Sequence, residues 1–229
     1  MSGPGWPAQL ASVTRVTAPR VTLSFDNGPT PGVTEQVLDV LAAQGVPATF
    51  FVVGSRLADR AGRQAARRAL AEGHRVGGHT WSHRVPFGTA DDATVDRELD
   101  DTARAVADVG GDPRLFRPYG VGGAIDARLM SAHGATRLCD GGFTCVLWTS
   151  VPRDWVDPDG WPDVALAAFE REPWSVVVLH DLPGAAAGRL DAFLRQCRER
   201  GAVFTQDTPD ACTPVRAGAP TSSYALLGV

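Results

Sequence analysis

Seven short apolar runs alternating with stretches of helical spacing constrain this chain more than any other feature. The first run, 21–29, reads VTLSFDNGP; its β-branched and aromatic residues favour a buried strand, and Gly28 with Pro29 ends it. Further apolar runs stand at 48–53, 75–78, 115–116, 144–149, 175–180 and 202–205. Between them, 34–43 carries Val37, Leu38 and Leu41 at helical spacing before Gly45, and 55–71, 92–108, 126–132, 161–169 and 187–200 read as helices. Strands that alternate with helices at intervals of roughly thirty residues run parallel and are joined by right-handed crossovers, either in an open doubly wound sheet or in a barrel. Periodicity does not choose between the two.

A chain of 229 residues can bury one full core, and a single α/β domain over 19–206 is the expectation. Residues 1–18, rich in Gly, Pro, Ser and Thr, read as an N-terminal arm; over 207–229 the same residue types return, periodicity fails, and a surface tail is expected. The formal charge of -4 supplies neither the basic excess that phosphates require nor a polybasic membrane patch, so no nucleic-acid or membrane partner is expected. The sequence contains no lysine, which excludes Schiff-base, Walker-type and kinase-type lysine chemistry. Cys139, Cys145, Cys197 and Cys212 form no Cys-x-x-Cys pair and read as reduced structural thiols, although Cys139 and Cys145 stand close enough in sequence to bridge. The opening MSGPGWPAQLAS lacks a charged start followed by an apolar segment and so reads as no signal peptide, and no run is long enough to span a bilayer. A cytoplasmic protein is the expectation, or a secreted one if a leader has been lost from this sequence.

In a parallel α/β domain the carboxyl ends of the strands form the rim on which a site is built. Asp26 and Asn27 follow the first apolar run, His79 and His83 the third, and Arg117 the fourth; Asp154 lies shortly after the fifth, and His180 ends the sixth. The four-residue spacing of His79 and His83 puts both imidazoles on one face of a helical turn, within reach of one cation. Thr80, Trp81 and Ser82 stand between them, so the His-Glu-x-x-His pattern is absent and a general base must come from elsewhere. Arg117, between Phe116 and Pro118, is held extended and suits the orientation of a carboxylate, while Asp154 suits fixing the tautomer of a histidine. His74 and His133 read as surface residues.

Taken together and in order, SFDNGP, ATFFVVG, HTWSH, FRPYG, RDW and VVVLHD resemble the motifs of the polysaccharide deacetylases of the NodB homology family, the fourth carbohydrate esterase family, over 20–205. The resemblance implies a distorted (β/α) barrel of about seven parallel strands. It also implies a metal-dependent hydrolase that removes an N-acetyl or related acyl group from an amino sugar or polysaccharide. Carried over position by position, Asp26 is the general base, Arg117 orients it, and His180 is the general acid supported by Asp154. Asn27, His79 and His83 stand at the ligand positions of a divalent metal; zinc suits the histidines, and cobalt, nickel and manganese are compatible. Trp155 and Leu179 are expected to line the acetyl pocket, with a backbone N–H of Tyr119 or Gly120 completing an oxyanion hole.

Three positions depart from the family pattern. Asn27 replaces the second Asp and so removes the anionic metal ligand; FRPYG is one residue shorter than Arg-Pro-Pro-Tyr-Gly; and Val151 replaces the first Asp of Asp-x-x-Asp-Trp. Two other readings use the same residues: a hydrolase of another amide, such as a sugar formamide or ureide, and a catalytically weak glycan-binding protein.

Overall fold

The computed structural model describes residues 18–169 and 171–229, and the expected N-terminal arm lies outside them up to residue 17. Seven strands are parallel: β1 (Arg20–Asp26), β2 (Thr49–Val52), β3 (Arg75–Gly78), β4 (Leu115–Phe116), β5 (Thr144–Cys145), β6 (Trp174–His180) and β7 (Val203–Thr205). β1 is central. It pairs along its whole length with β6 on one side, and on the other with β7 over Arg20–Thr22 and with β2 over Ser24–Asp26. Beyond β5 the chain stays extended, and Ser150 bridges to Val177 of β6, with Val178 N–H donating to the Ser150 carbonyl at 2.9 Å. That bridge joins the two ends of the β6-β1-β2-β3-β4-β5 ladder, so the sheet curls into a distorted barrel rather than lying open.

Six helices connect the strands: α1 (Val33–Gln44), α2 (Arg60–Ala71), α3 (Asp92–Val109), α4 (Ala132–Asp140), α5 (Trp161–Phe169) and α6 (Ala187–Glu199). Their ends follow local chemistry. Asp59, Asp91 and Ser131 accept backbone N–H groups as N-caps of α2, α3 and α4, and α1 stops at Gly45, whose φ of 57° is the left-handed geometry that glycine adopts without penalty. The helix expected over 126–132 is instead a turn. Asp126 Oδ1 accepts the N–H of Arg128, and the Ser131 cap moves the helix start to Ala132.

Strand alternation divides the core in two. Leu23, Phe25, Val177 and Leu179 pack against Val37, Leu38, Leu41, Leu190 and Phe193 of α1 and α6. Val176 and Val178 join a second cluster with Phe51, Phe116, Val146 and Trp148. Among the described residues no helix is long and apolar enough to cross a membrane.

Two expectations need correction, and a third is settled. His74 is buried, not on the surface: its Nδ1 accepts the Ala48 N–H at 3.1 Å, its ring meets Phe50 edge-on, and burial lowers its pKa. Residues 207–229 are not a surface tail. They form a hairpin, β8 (Val215–Arg216) and β9 (Ala219–Pro220), with β8 antiparallel to β5 and the Cys212 carbonyl accepting the Leu147 N–H at 2.7 Å. Cys212, Val215 and Leu227 are all buried. Elements of two residues have no periodicity to read, and β5, far away in the chain, supplies the partner that anchors the hairpin. The four cysteines are free thiols, so Cys139 and Cys145 do not bridge. If the C-terminal segment completes the core, Leu227→Ala should cost about 2–5 kcal/mol in urea unfolding, against about 0.5 kcal/mol or less for a truncation on a solvated tail.

Candidate active site

The carboxyl end of β1 sets the site. Alternation sends Phe25 into the helix-packed core and turns Ser24 and Asp26 the other way, where both meet Arg117 just past β4. The guanidinium is fully buried, and four hydrogen bonds hold it: Nη1 to Asp26 Oδ1 at 2.8 Å and to Ser24 Oγ at 2.7 Å, Nε to the Val146 carbonyl at 3.0 Å, and Nη2 to the Leu147 carbonyl at 3.1 Å. It also lies over the Phe51 ring, 4.1 Å from the centroid. Burial alone would raise the Asp26 pKa, but Arg117, with the nearby imidazoles of His79 and His180, outweighs it and holds the carboxyl below its ordinary value. Asp26 is therefore a fixed, ionised carboxylate facing the cleft.

Across the β1–β6 register, His180 lies directly opposite Asp26. Both oxygens of buried Asp154 hold this one residue: Oδ2 accepts the His180 backbone N–H at 2.9 Å, and Oδ1 accepts Nδ1–H at 2.8 Å. That assigns the tautomer and leaves Nε2 as the ring atom free to meet a substrate. The half-exposed Trp155 packs edge-on against the same imidazole at 4.5 Å.

His79 and His83 come together, their ring centroids 4.8 Å apart, but not on a helical turn. Residues 79–83 form an irregular loop in which Thr80 (φ 59°) and His83 (φ 53°) take left-handed backbone that no helix allows. Asn27 (φ 74°) and Arg153 (φ 60°) are left-handed as well, so four of the five such non-glycine residues described lie in the loops that carry the site. His79 Nδ1–H donates to the Arg117 carbonyl at 2.9 Å, which leaves Nε2 with its lone pair, 3.6 Å from Asp26 Oδ2. Burial and the neighbouring His79 hold the His83 pKa down at about 3, so its imidazole is neutral, with Tyr119 packed on it at 3.9 Å.

Asp26, Asn27, His79, His83 and His180 line one cleft of about 230 Å³ together with Tyr119, Gly120, Trp148, Val151, Trp155, Val178 and Leu182, and Arg117 and Asp154 hold two of them from behind. Of the residues expected at the site, Leu179 alone is elsewhere. It is fully buried against the helices, because a strand that turns His180 toward the cleft must turn Leu179 away; Val178 and Leu182 take its place. Counting by two back from His180 or Asp26 would have found Val178 and Ser24. Trp148 carries no such signal; its Nε1–H donates to the Gly123 carbonyl at 3.0 Å across the cleft wall.

A divalent metal is implied by the family, and the donors present fit one. Asn27 Oδ1 is buried without a hydrogen-bond partner, His79 Nε2 keeps a lone pair, and His83 is neutral. Among the described residues no group of three or more His, Cys, Asp or Glu side chains is arranged to hold a metal; the group beside the two histidines is the Asn27 amide.

With this geometry in hand, comparison with known proteins is decisive. A model of the family described as polysaccharide deacetylase matches residues 14–137. The chitooligosaccharide deacetylase of Sinorhizobium fredii is 38% identical over 184 residues, covering 78% of this chain and 80% of that protein. The chain belongs to the polysaccharide deacetylase family. This deacetylase-family chain also superposes on a family 4 carbohydrate esterase from Streptomyces lividans in complex with acetate, with a TM-score of 0.71 at 26% identity over 86% of this chain and 97% of that one. A family 4 acetyl xylan esterase from Clostridium thermocellum, in complex with a cobalt ion, gives a TM-score of 0.66 at 27% identity over 81% and 86%.

Behind the site lies a carboxyl that ends the VVVLHD motif and has no expected role. Asp181 is buried against Gly28, where even a Cβ would come within 1.9 Å of Oδ2, and that oxygen accepts Thr34 Oγ1–H at 2.5 Å. Burial pushes its pKa up to about 7. A carboxyl whose folded pKa is raised binds its proton more tightly when folded, so its contribution is present below the ordinary value near 4 and is lost as pH rises toward 7. Asp181→Asn should therefore raise the thermal midpoint, relative to the parent protein, more at pH 8 than at pH 5, as read by differential scanning calorimetry at both pH values.

Proposed function

We propose that the protein hydrolyses the acetamido group of an N-acetylated amino sugar in a glycan, releasing acetate and the free amine. One observation carries this reading: two fixed proton-handling groups, Asp26 held by Arg117 and His180 held by Asp154, stand in register on neighbouring strands and line the same cleft. Amide hydrolysis needs a base for the attacking water and an acid for the departing nitrogen, on opposite sides of the reacting carbon.

Asp26 takes a proton from water as the water oxygen bonds to the acetyl carbon. His180 Nε2 gives a proton to the amine nitrogen as the carbon–nitrogen bond breaks. Asp154 stabilises the imidazolium and keeps the ring from turning, and Arg117 prevents the carboxylate from rotating out of reach. A divalent cation held by Asn27, His79 and His83, zinc or cobalt by the chemistry of the donors, would polarise the acetyl carbonyl and lower the pKa of water. Tyr119, Trp148 and Trp155 give the cleft the flat apolar faces on which a sugar ring packs. The name of the Sinorhizobium relative supports a chitooligosaccharide as substrate, and the cobalt-bound Clostridium structure supports a metal.

The test is amine release from N-acetylated chitooligosaccharides by the purified protein, before and after chelation. Chelation should abolish turnover, and Asp26→Asn should lower kcat by about 10²–10⁴-fold with the fold intact. Full turnover in metal-stripped protein, or an unaffected Asp26→Asn variant, would remove the proposal. Asn27→Asp is a separate probe. Aspartate tolerates the same left-handed backbone and adds a charge to the donor set, so zinc should bind about tenfold tighter or more in competition against a chromophoric chelator.

A further inference from the structure

We propose that Glu98, on α3, is a positioning residue for the metal-binding histidines. Its carboxylate sets the shape of loop 79–83 and thereby the aim of His79 and His83. The inference rests on the reading of those two histidines as metal ligands.

Glu98 is out of place by any sequence rule. The face of α3 that turns inward consists of Val95, Leu99, Thr102, Val106 and Val109, and Glu98 is the one charged residue buried with them. A carboxylate is not left there without strong partners. Its partners all belong to the histidine loop: Oε2 accepts the backbone N–H groups of Trp81 at 2.7 Å and Ser82 at 2.8 Å, and Oε1 accepts the Ser82 hydroxyl at 2.6 Å. Three charge-assisted hydrogen bonds thus converge on two consecutive residues between the histidines.

The loop depends on this outside support because it makes no regular structure of its own. Thr80 and His83 are held in left-handed backbone that side chains disfavour, a state that persists only where the surroundings dictate it. On the opposite side, the turn after β2 donates from Gly54 and Ser55 N–H to the Thr80 and Trp81 carbonyls, both at 2.9 Å. Gly54 is required there, since a Cβ would come within 2.7 Å of the Trp81 ring. The loop is therefore gripped by N–H donors on one side and by the Glu98 carboxylate on the other. His79 has further anchors, its N–H to the Val52 carbonyl and its Nδ1–H to the Arg117 carbonyl. Among the described residues His83 has one hydrogen bond, its N–H to Thr80 Oγ1, and ring contacts with His79 and Tyr119. Loosening Glu98 should misplace His83 first.

Two substitutions separate geometry from charge. Glu98→Gln keeps the reach: the amide oxygen can take both backbone N–H groups, and the amide nitrogen can donate to Ser82 Oγ. Glu98→Asp keeps the charge but falls one methylene short. With zinc alone titrated into the metal-free full-length protein, Glu98→Gln should bind within about threefold of the parent and Glu98→Asp at least about tenfold more weakly, the usual scale for groups that orient metal ligands. Cobalt(II) alone should show altered visible absorption bands in Glu98→Asp and parent-like bands in Glu98→Gln. Should Glu98→Asp fail to accumulate, Ser82→Ala removes one of the three contacts without touching the helix and should weaken zinc binding severalfold. Unchanged zinc affinity in Glu98→Asp or Ser82→Ala, with only the unfolding midpoint lowered, would make Glu98 a brace for stability and overturn the proposal. Weakening in Glu98→Gln but not in Glu98→Asp would overturn it too, by assigning the effect to charge. Failure of the parent protein itself to bind zinc or cobalt would instead overturn the ligand assignment beneath it.

Discussion

The buried pair of Arg117 and Asp26 is the interaction on which the rest of the site depends. A guanidinium fully removed from water is costly, and an ion pair offsets that cost only when geometry is good and the remaining donors are satisfied. Arg117 has good geometry and bonds four of its five N–H donors, one to Asp26, one to Ser24, and two to the carbonyls of Val146 and Leu147. The same side chain therefore ties the end of β1 to the chain leaving β5 across the barrel and fixes the carboxylate that faces the cleft. Its own carbonyl accepts His79 Nδ1–H, so it also sets which nitrogen of that histidine stays free. One residue serves as strut, orienter of the Asp26 carboxylate and selector of a tautomer.

Around this strut the site separates the two kinds of group that hydrolysis requires. Asp26 and His180 come from neighbouring parallel strands and each is held by its own partner, so both are rigid before substrate arrives. Two of the three proposed metal donors, by contrast, sit in loops in left-handed backbone: Asn27 after β1, and His83 in the segment gripped between the β2 turn and α3. In the proposed mechanism, strands place the proton carriers and clamped loops place the metal donors. The amide at position 27 is compatible with this arrangement because asparagine, like aspartate, tolerates the left-handed region that the turn imposes.

Most of the fold could be read from the residues, because parallel strands and amphipathic helices advertise themselves by period. All seven parallel strands and five of the six helices fall within a few residues of their expected places, and the polar groups at the strand ends do share one rim. The failures have physical causes. The 126–132 helix was displaced by a serine cap and an aspartate turn, and the C-terminal segment has elements too short to show a period. His79 and His83 met for a reason other than the helical spacing that suggested it. Leu179 was assigned to the cleft although alternation from His180 already turned it away.

What the sequence determined by itself was the set of chemical groups and their order along an α/β chain, since residue type and local period are properties of neighbouring residues. The ring closure through Ser150 and Val177, the registration of Asp26 against His180, the burial of Glu98 under the histidine loop and the incorporation of 207–229 into the core were decided by tertiary structure alone. Each of these is a contact between residues far apart in the chain, and its partner is chosen by packing and hydrogen-bond satisfaction across the whole barrel, which no local pattern records.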